Sequence, residues 1–142
     1  MAEEKVALDT SVFIYYFEGR SRHAARCRQI LTQVEQGGVE AVTSTMCALE
    51  TLVRPLFLHE EATVLRYEEW FRQYPHLEVR AVDLAVAILA AELVAAERMS
   101  VPDAIVGATA LESGCSRLIT NDGDFRVLED RGLRIELLGA PA

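Results

Sequence analysis

The sequence predicts an α/β fold in which helices cover both faces of a mainly parallel sheet. Short β-branched apolar runs alternate with longer helical segments along the chain, a pattern typical of parallel sheets. The 142 residues, of which 51% are apolar, suffice for one domain with a substantial core. Acidic residues also stand repeatedly where a strand ends or a helix begins. The expected domain spans residues 1–138, and residues 139–142 are expected to form a loose C-terminal tail.

Five segments have the composition of strands. Residues 5–9 form a short apolar run that ends in an acid, and residues 39–43 alternate in polarity and are rich in β-branched side chains. Further strands are predicted at residues 77–82, 117–120 and 133–138. Residues 121–124, Asn-Asp-Gly-Asp, have the composition of a loop.

The segments between the strands have helical spacing and capping residues. Helices are predicted at residues 12–18, 21–36, 44–58, 60–73, 83–98 and 100–112. Pro55 is expected to bend the third helix or to mark a break in it. The expected core contacts of the fourth helix are Ala62, Leu65, Trp70 and Phe71. The fifth helix is apolar on most of its circumference, which predicts that it is deeply buried or covered by another subunit.

The charge and the cysteines exclude several classes of function. A net charge of −8 argues against a protein that holds nucleic acid through broad electrostatic attraction. Cys27, Cys47 and Cys115 are odd in number and form no C-x-x-C pair, so neither a disulfide framework nor a zinc ribbon is indicated. The chain has no apolar run long enough to cross a bilayer and no secretion signal at its start, so we expect a cytoplasmic protein.

Four acidic residues, Asp9, Glu50, Asp103 and Asp122, stand at the ends of predicted strands or in the first turns of predicted helices. In an open α/β sheet, ligands bind beyond the carboxyl ends of the strands, and all four side chains are expected to face one cleft there. Four carboxylates without counter-charge would repel one another and raise some of their own pKa values. One or two hard divalent cations such as Mg²⁺ or Mn²⁺ would relieve that repulsion.

Each acid also has an ordinary explanation. Asp9 is placed to cap the following helix, and Asp103 occupies the last position of a capping box. Glu50 is one helical turn from Arg54, the spacing of an ion pair. Asp122 lies in an Asn-Asp-Gly turn, where such residues are common for local backbone reasons. The four together favour the metal site, because these separate explanations do not account for the shared location.

Four segments of the chain resemble, in order, the four motifs of the PIN-domain nucleases. They are residues 8–19 (LDTSVFIYYFEG), 44–50 (STMCALE), 102–111 (PDAIVGATAL) and 118–125 (LITNDGDF). The resemblance implies a three-layer α/β/α sandwich with a central parallel sheet of about five strands, within the usual size of a sheet. It also implies cleavage of RNA phosphodiester bonds that depends on Mg²⁺ or Mn²⁺.

The resemblance also carries over the site residues. Asp9, Glu50, Asp103 and Asp122 become the catalytic and metal-binding acids, and Asp124 is an extra acid that some family members use. Ser11 and Thr120 are expected to hydrogen-bond the carboxylates or water at the metal, although helix capping and strand ending explain them equally well.

The small single-domain members of the family are mostly VapC-type toxins, so the resemblance implies the toxin of a toxin–antitoxin pair. A cognate antitoxin protein and an RNA substrate are the expected partners. The apolar helix at residues 83–98 and the helices of the first half offer surface for a homodimer or for the antitoxin. The arginines between residues 20 and 28 are available for RNA contact, although a solvated helix face explains them better.

Other readings stay open. The chain is alternatively a PIN-domain nuclease of RNA processing, or a catalytically silent module that keeps the fold. A haloacid-dehalogenase-like phosphatase is disfavoured because Ser11 stands where that family has a second aspartate. A phosphotransfer receiver is disfavoured because no lysine follows Lys5.

Overall fold

Five parallel strands form the centre of the structure, a computed structural model that describes residues 4–139. They are β1 (Lys5–Leu8), β2 (Glu40–Ser44), β3 (Leu77–Arg80), β4 (Arg117–Thr120) and β5 (Arg134–Leu137). Their order in the sheet is β3-β2-β1-β4-β5, and every neighbouring pair is parallel. The predicted fold class is confirmed. The predicted loose tail lies, from residue 140 onward, outside the described residues.

Six α-helices and one 3₁₀ helix connect the strands within the described residues. They are α1 (Thr10–Glu18), α2 (Ala24–Glu35), α3 (Thr45–Phe57), α4 (Glu61–Gln73), α5 (Leu84–Glu97), α6 (Val101–Glu112) and the 3₁₀ helix (Gly123–Arg131). Right-handed crossovers place α1 to α4 on one face of the sheet and α5, α6 and the 3₁₀ helix on the other. The packing agrees, since α1 contacts α2 and α3, while α6 contacts α5 and the 3₁₀ helix. None of the helices in residues 4–139 combines the length and the apolar character needed to cross a bilayer.

The strand order creates a switch point between β1 and β4. From β1 the chain proceeds outward to β2 and β3, and then returns to the other side of β1 to form β4 and β5. The helices that follow β1 and β4 therefore leave the sheet on opposite faces. A crevice opens between them beyond the carboxyl ends of these two strands, which is where open α/β sheets bind ligands.

The core consists of the central strands and of an aromatic cluster on one face. Val6, Leu8 and Leu118 are completely or almost completely buried. On α1, the buried ring of Phe13 lies with its centroid 5.1 Å from that of Phe71 on α4, in an edge-to-face contact. These contacts fix the position of α1, whose first turn carries part of the site described below.

The structure corrects part of two predictions about buried faces. On α4, the predicted contacts of Phe71 and Trp70 with the core are present and Val64 is also buried. Leu65, however, is 65% exposed and Ala62 is also exposed. The buried positions lie seven residues apart, so the packed stripe is narrower than the apolar content suggests. Helix α5 is not deeply buried within this chain: Val86, Ala90 and Leu93 are buried, but Leu84 is 75% exposed and Ile88 is 54% exposed. That another subunit covers it stays a prediction.

Two local predictions are also corrected. Helix α3 does not break at Pro55 but continues to Phe57, because a proline this close to the end removes a single hydrogen bond of the last turn. The loop predicted at residues 121–124 ends at Asp122, and the 3₁₀ helix begins at Gly123. Its buried residues Phe125 and Leu128 are spaced three apart, which matches the three residues per turn of this helix.

Candidate metal centre

Asp9 and Thr120 meet at the carboxyl ends of the two central strands. Asp9 follows β1 and occupies the N-cap position of α1, but its side chain makes no capping hydrogen bond there. Instead, the hydroxyl of Thr120, the last residue of β4, donates a 2.7 Å hydrogen bond to Asp9 Oδ2. The capping explanation of Asp9 therefore does not describe the structure, and the hydrogen bond expected of Thr120 is present.

The same threonine connects Asp122 to this pair. Its Oγ1 accepts a 3.1 Å hydrogen bond from the backbone N–H of Asp122. The Asp122 carboxylate caps the 3₁₀ helix, with Oδ1 accepting a 2.9 Å hydrogen bond from the backbone N–H of Asp124. Asp122 thus has a local structural role, as the turn explanation proposed, and at the same time it lies beside the switch point.

Glu50 reaches the site from the second turn of α3. Its Oε1 accepts a 2.7 Å hydrogen bond from the hydroxyl of Thr10, the residue that follows Asp9. Within residues 4–139 there is no ion pair between Glu50 and Arg54, so the alternative explanation of Glu50 does not apply. Thr10 was not among the predicted site residues, and its position directly after Asp9 is the only sequence feature that pointed to it.

Asp103 enters from the first turn of α6. The Ser100 side chain caps this helix by accepting a 3.3 Å hydrogen bond from the Asp103 N–H. The helix cap is compatible with a role of Asp103 in the site, because the cap uses the backbone N–H of Asp103 and not its carboxylate. Helix α6 lies against β1, β2 and β4, which brings its first turn to the crevice.

Ser11 connects the loop after β4 to helix α1. Its hydroxyl accepts a 3.1 Å hydrogen bond from the backbone N–H of Asn121, and within residues 4–139 it makes no hydrogen bond to a carboxylate. The Asn121 side chain in turn donates a 2.8 Å hydrogen bond to the Tyr15 hydroxyl. Asn121 and Tyr15 therefore help to position the loop that carries Asp122, a contribution that the sequence did not indicate.

The carboxylates influence one another electrostatically. The pKa of Asp9 is raised from 3.8 to about 6, chiefly by burial and also by the charges of Asp103 and Glu50, against the lowering effect of the Thr120 hydroxyl and the Thr10 backbone. The pKa of Asp103 is likewise raised, first by burial and then by the charge of Asp122, with smaller contributions from Glu50 and Asp124. The structure thus brings together all four predicted acids and Asp124.

The donor set fits a hard divalent cation. It consists of carboxylate oxygens, and within residues 4–139 none of these five acids forms an ion pair with a basic side chain. In the same part of the chain, no three Asp, Glu, His or Cys side chains are arranged as ligands of a single ion. Mg²⁺ is commonly bound by one or two carboxylates and keeps several of its own waters, which suits this arrangement.

Comparison with known families identifies the relatives of this chain. The family model of the PIN domain matches residues 6–130, which includes all of the candidate acids. The resemblance seen in the four sequence motifs is therefore confirmed. No curated protein matches the chain.

Solved toxin–antitoxin structures share the fold. VapBC2 from Rickettsia felis, bound to a DNA fragment from its promoter, is 14% identical with a TM-score of 0.72, over 94% of this chain and 98% of that one. VapC20 from Mycobacterium tuberculosis, a toxin that cleaves the sarcin–ricin loop, is 16% identical with a TM-score of 0.71, over 86% and 93%. A toxin–antitoxin complex from Klebsiella pneumoniae is 23% identical with a TM-score of 0.64, over 90% and 94%.

The raised pKa of Asp9 predicts that Asp9→Asn stabilises the metal-free protein. The folded protein binds the Asp9 proton more tightly than the unfolded chain does, so ionisation of Asp9 lowers the free energy of unfolding as the pH rises from about 4 to about 6. Chemical denaturation in EDTA is expected to show no advantage of the variant below about pH 4. Above about pH 6 the gain levels off on the order of 3 kcal/mol, since one pKa unit corresponds to about 1.4 kcal/mol.

Asp130→Asn is the matched control, because Asp130 is an exposed aspartate in the 3₁₀ helix. This control is expected to change stability by less than about 0.5 kcal/mol at any pH. A stability difference between Asp9→Asn and the parent that does not vary with pH would contradict the electrostatic explanation.

Proposed function

Because the chain belongs to the PIN domain family, we propose that it is a metal-dependent endoribonuclease that hydrolyses RNA phosphodiester bonds. The observation that carries the proposal is the gathering of Asp9, Glu50, Asp103, Asp122 and Asp124 at the switch point without a cationic partner among residues 4–139. Uncompensated carboxylates cost stability, and a bound divalent cation removes that cost.

The acids differ in their proposed roles. Asp9 and Asp103, whose pKa values are raised, would hold Mg²⁺ or Mn²⁺. Glu50 and Asp122 would complete or orient the ligand shell, and Asp124 would assist them. When bound, such an ion lowers the pKa of water and stabilises the charge on phosphoryl oxygens.

The hydroxyl groups of the site prepare the carboxylates for this task. Thr120 donates to Asp9, and Thr10 donates to Glu50, each over 2.7 Å. Each hydrogen bond fixes one carboxylate oxygen, Oδ2 of Asp9 and Oε1 of Glu50. Partners of this kind orient metal ligands and limit the reorganisation that binding requires.

The first test is the loss of cleavage in Asp103→Asn, measured on total cellular RNA with Mg²⁺ or Mn²⁺ present. Since changes to residues behind metal ligands commonly cost 10–100-fold, a change to a ligand is expected to cost at least about 100-fold in rate. Titration calorimetry should show weaker binding of the same ion. Asp130→Asn is again the control and should keep both the RNA cleavage and the ion affinity of the parent.

Full activity of both Asp103→Asn and Asp9→Asn would remove the proposed mechanism. A parent protein that binds no divalent ion and cleaves no RNA would instead support the alternative of a silent PIN-fold binding module. Mapping the ends of the cleavage products would identify the substrate RNA.

We further propose that the protein is the toxin of a toxin–antitoxin pair. The support comes from its size and from the toxin–antitoxin structures that share its fold, which match nearly the whole length of both chains. The expected partner is a cognate antitoxin protein, and the expected location is the cytoplasm. The alternative is a nuclease of RNA processing.

Expression of the parent protein alone is expected to arrest growth of a bacterial host, whereas Asp9→Asn at an equal protein level should not. Co-expression of the protein encoded beside it should restore growth if that protein is the antitoxin. Normal growth with confirmed RNase activity of the purified protein would contradict the toxin role and favour RNA processing.

A homodimer is proposed from the apolar surface of two helices. On α3, Val53, Leu56 and Phe57 are exposed, and Phe57 is exposed to 79%. On α5, Leu84 and Ile88 are exposed. Large exposed apolar side chains commonly mark interfaces, and a second copy of the chain would cover those of each helix.

Light scattering at micromolar concentration should give a mass of about two chains for the parent and of one chain for Ile88→Asp, because a charge at a buried interface costs several kcal/mol. Val127→Asp is the control, since Val127 is also exposed but lies on the 3₁₀ helix. A monomeric parent, or equal effects of the two substitutions, would contradict the proposed interface.

A further inference from the structure

We propose that the groove beside Glu50 binds the phosphate backbone of the RNA strand on one side of the cleaved bond. The groove lies between α1, α3 and α4 and encloses about 390 Å³. Three arginines, Arg20, Arg54 and Arg66, line it together with Glu50. The inference rests on the proposed ribonuclease function and assigns a substrate-binding surface to the same site.

The three guanidinium groups are free to bind a ligand. Each of these arginines is exposed, and within residues 4–139 none forms an ion pair with a carboxylate. Glu18 and Glu60 also line the groove, yet neither neutralises an arginine by direct contact. A guanidinium matches the geometry of phosphate oxygens and binds them with two parallel hydrogen bonds.

The arrangement of these arginines places them next to the acidic centre. Arg54 follows Glu50 by four residues on α3, which is one helical turn or about 6 Å along the axis. Glu50 is joined to the first turn of α1 by its hydrogen bond from Thr10. A strand whose reactive phosphate lay at the carboxylates would therefore pass Glu50 and meet Arg54 at its next contact.

Aromatic side chains hold one wall of the groove. The rings of Phe17 and Tyr67 stack with centroids 4.1 Å apart and planes 18° from parallel. The Arg66 guanidinium carbon lies 5.8 Å from the centre of the Tyr67 ring. The stacked pair joins α1 to α4 and limits the freedom of Arg66. Single-stranded nucleic acids are commonly bound in grooves that combine cationic and aromatic side chains.

A protein segment is the competing occupant of the groove. RNA is favoured because the groove adjoins the reactive centre and because its cations lack partners. Phosphates from a strand held at the carboxylates satisfy both conditions, whereas a protein segment would have to supply its own acids. The three arginines also balance the charges of the three glutamates that line the groove, so a strand would meet less repulsion here than the net charge of −8 implies for the whole protein.

The test compares two triple variants that change the net charge equally. The groove variant is Arg20→Gln, Arg54→Gln and Arg66→Gln, and the control variant is Arg22→Gln, Arg28→Gln and Arg72→Gln. The control arginines are exposed, lie outside the groove and form no ion pair within residues 4–139. Circular dichroism and thermal unfolding verify that both variants fold.

The probe is a fluorescent single-stranded RNA of random sequence and about 12 nucleotides, within the usual site sizes. Fluorescence anisotropy measures its affinity in EDTA at several salt concentrations. The groove variant is expected to bind at least about tenfold more weakly at low salt. The slope of the logarithm of affinity against the logarithm of salt should fall by about 2 in magnitude, since each lost phosphate contact removes about 0.7. The control variant should keep the affinity and the slope of the parent.

Equal losses in the two variants, no loss in either, or no measurable binding by the parent would overturn the proposal. Unchanged RNA affinity of the groove variant, together with lost binding of the protein encoded beside this chain, would overturn it in favour of a protein-docking groove. A second substrate, bis(4-nitrophenyl) phosphate, distinguishes failure of the groove proposal from failure of the proposed nuclease function. This small ester has no strand to lie in the groove, so its hydrolysis should require Asp103 and not the three arginines.

Discussion

The hydroxyl of Thr120 is the interaction on which the arrangement of the site depends. It donates to the Asp9 carboxylate at the end of β1 and accepts from the backbone of Asp122 beyond β4. One side chain therefore sets the relative position of two acids that are more than a hundred residues apart in the chain. The parallel pairing of β1 with β4 makes this contact possible, because it aligns the carboxyl ends of the two strands. Without that strand order, neither acid would lie at a switch point.

Carboxylates in two parts of the structure have pKa values that are shifted in opposite directions. Away from the site, Arg117 at the start of β4 pairs with Glu4 and with Glu136 of β5, and Arg26 of α2 also pairs with Glu136. Burial raises the pKa of Glu136, but the hydrogen bonds from the two arginines outweigh it, so that the net pKa is lowered. At the carboxyl ends, burial and mutual repulsion raise the pKa of Asp9 and Asp103. The acidic composition of the chain therefore does not explain the site, because among the described carboxylates whose pKa is shifted only Asp9 and Asp103 have raised pKa values.

The parts of this fold that could be predicted are those specified by local pattern. The strands and the six α-helices follow from residue periodicity and caps, and the four acids follow from their positions at the ends of these elements. The exposed faces of α4 and α5 could not be predicted, because periodicity shows that a helix is apolar but not how much of it the neighbouring elements cover. The 3₁₀ helix was not predicted, because its repeat of three residues per turn is uncommon in long segments. The contact of Thr10 with Glu50 joins residues 40 apart, and no local rule specifies such a pair.

An acidic protein that acts on a polyanion must limit its attraction to a small region. With a net charge of −8, long-range fields repel RNA, and only contacts within about 10 Å at ordinary salt can reverse this. A divalent cation at the carboxylates and three arginines in the adjoining groove would supply such contacts. Weak attraction elsewhere on the surface means that a bound strand is not retained by nonspecific contacts. Under the proposed function, selection among RNAs would then depend on how well a strand fits this one groove rather than on charge, and product would leave readily after cleavage.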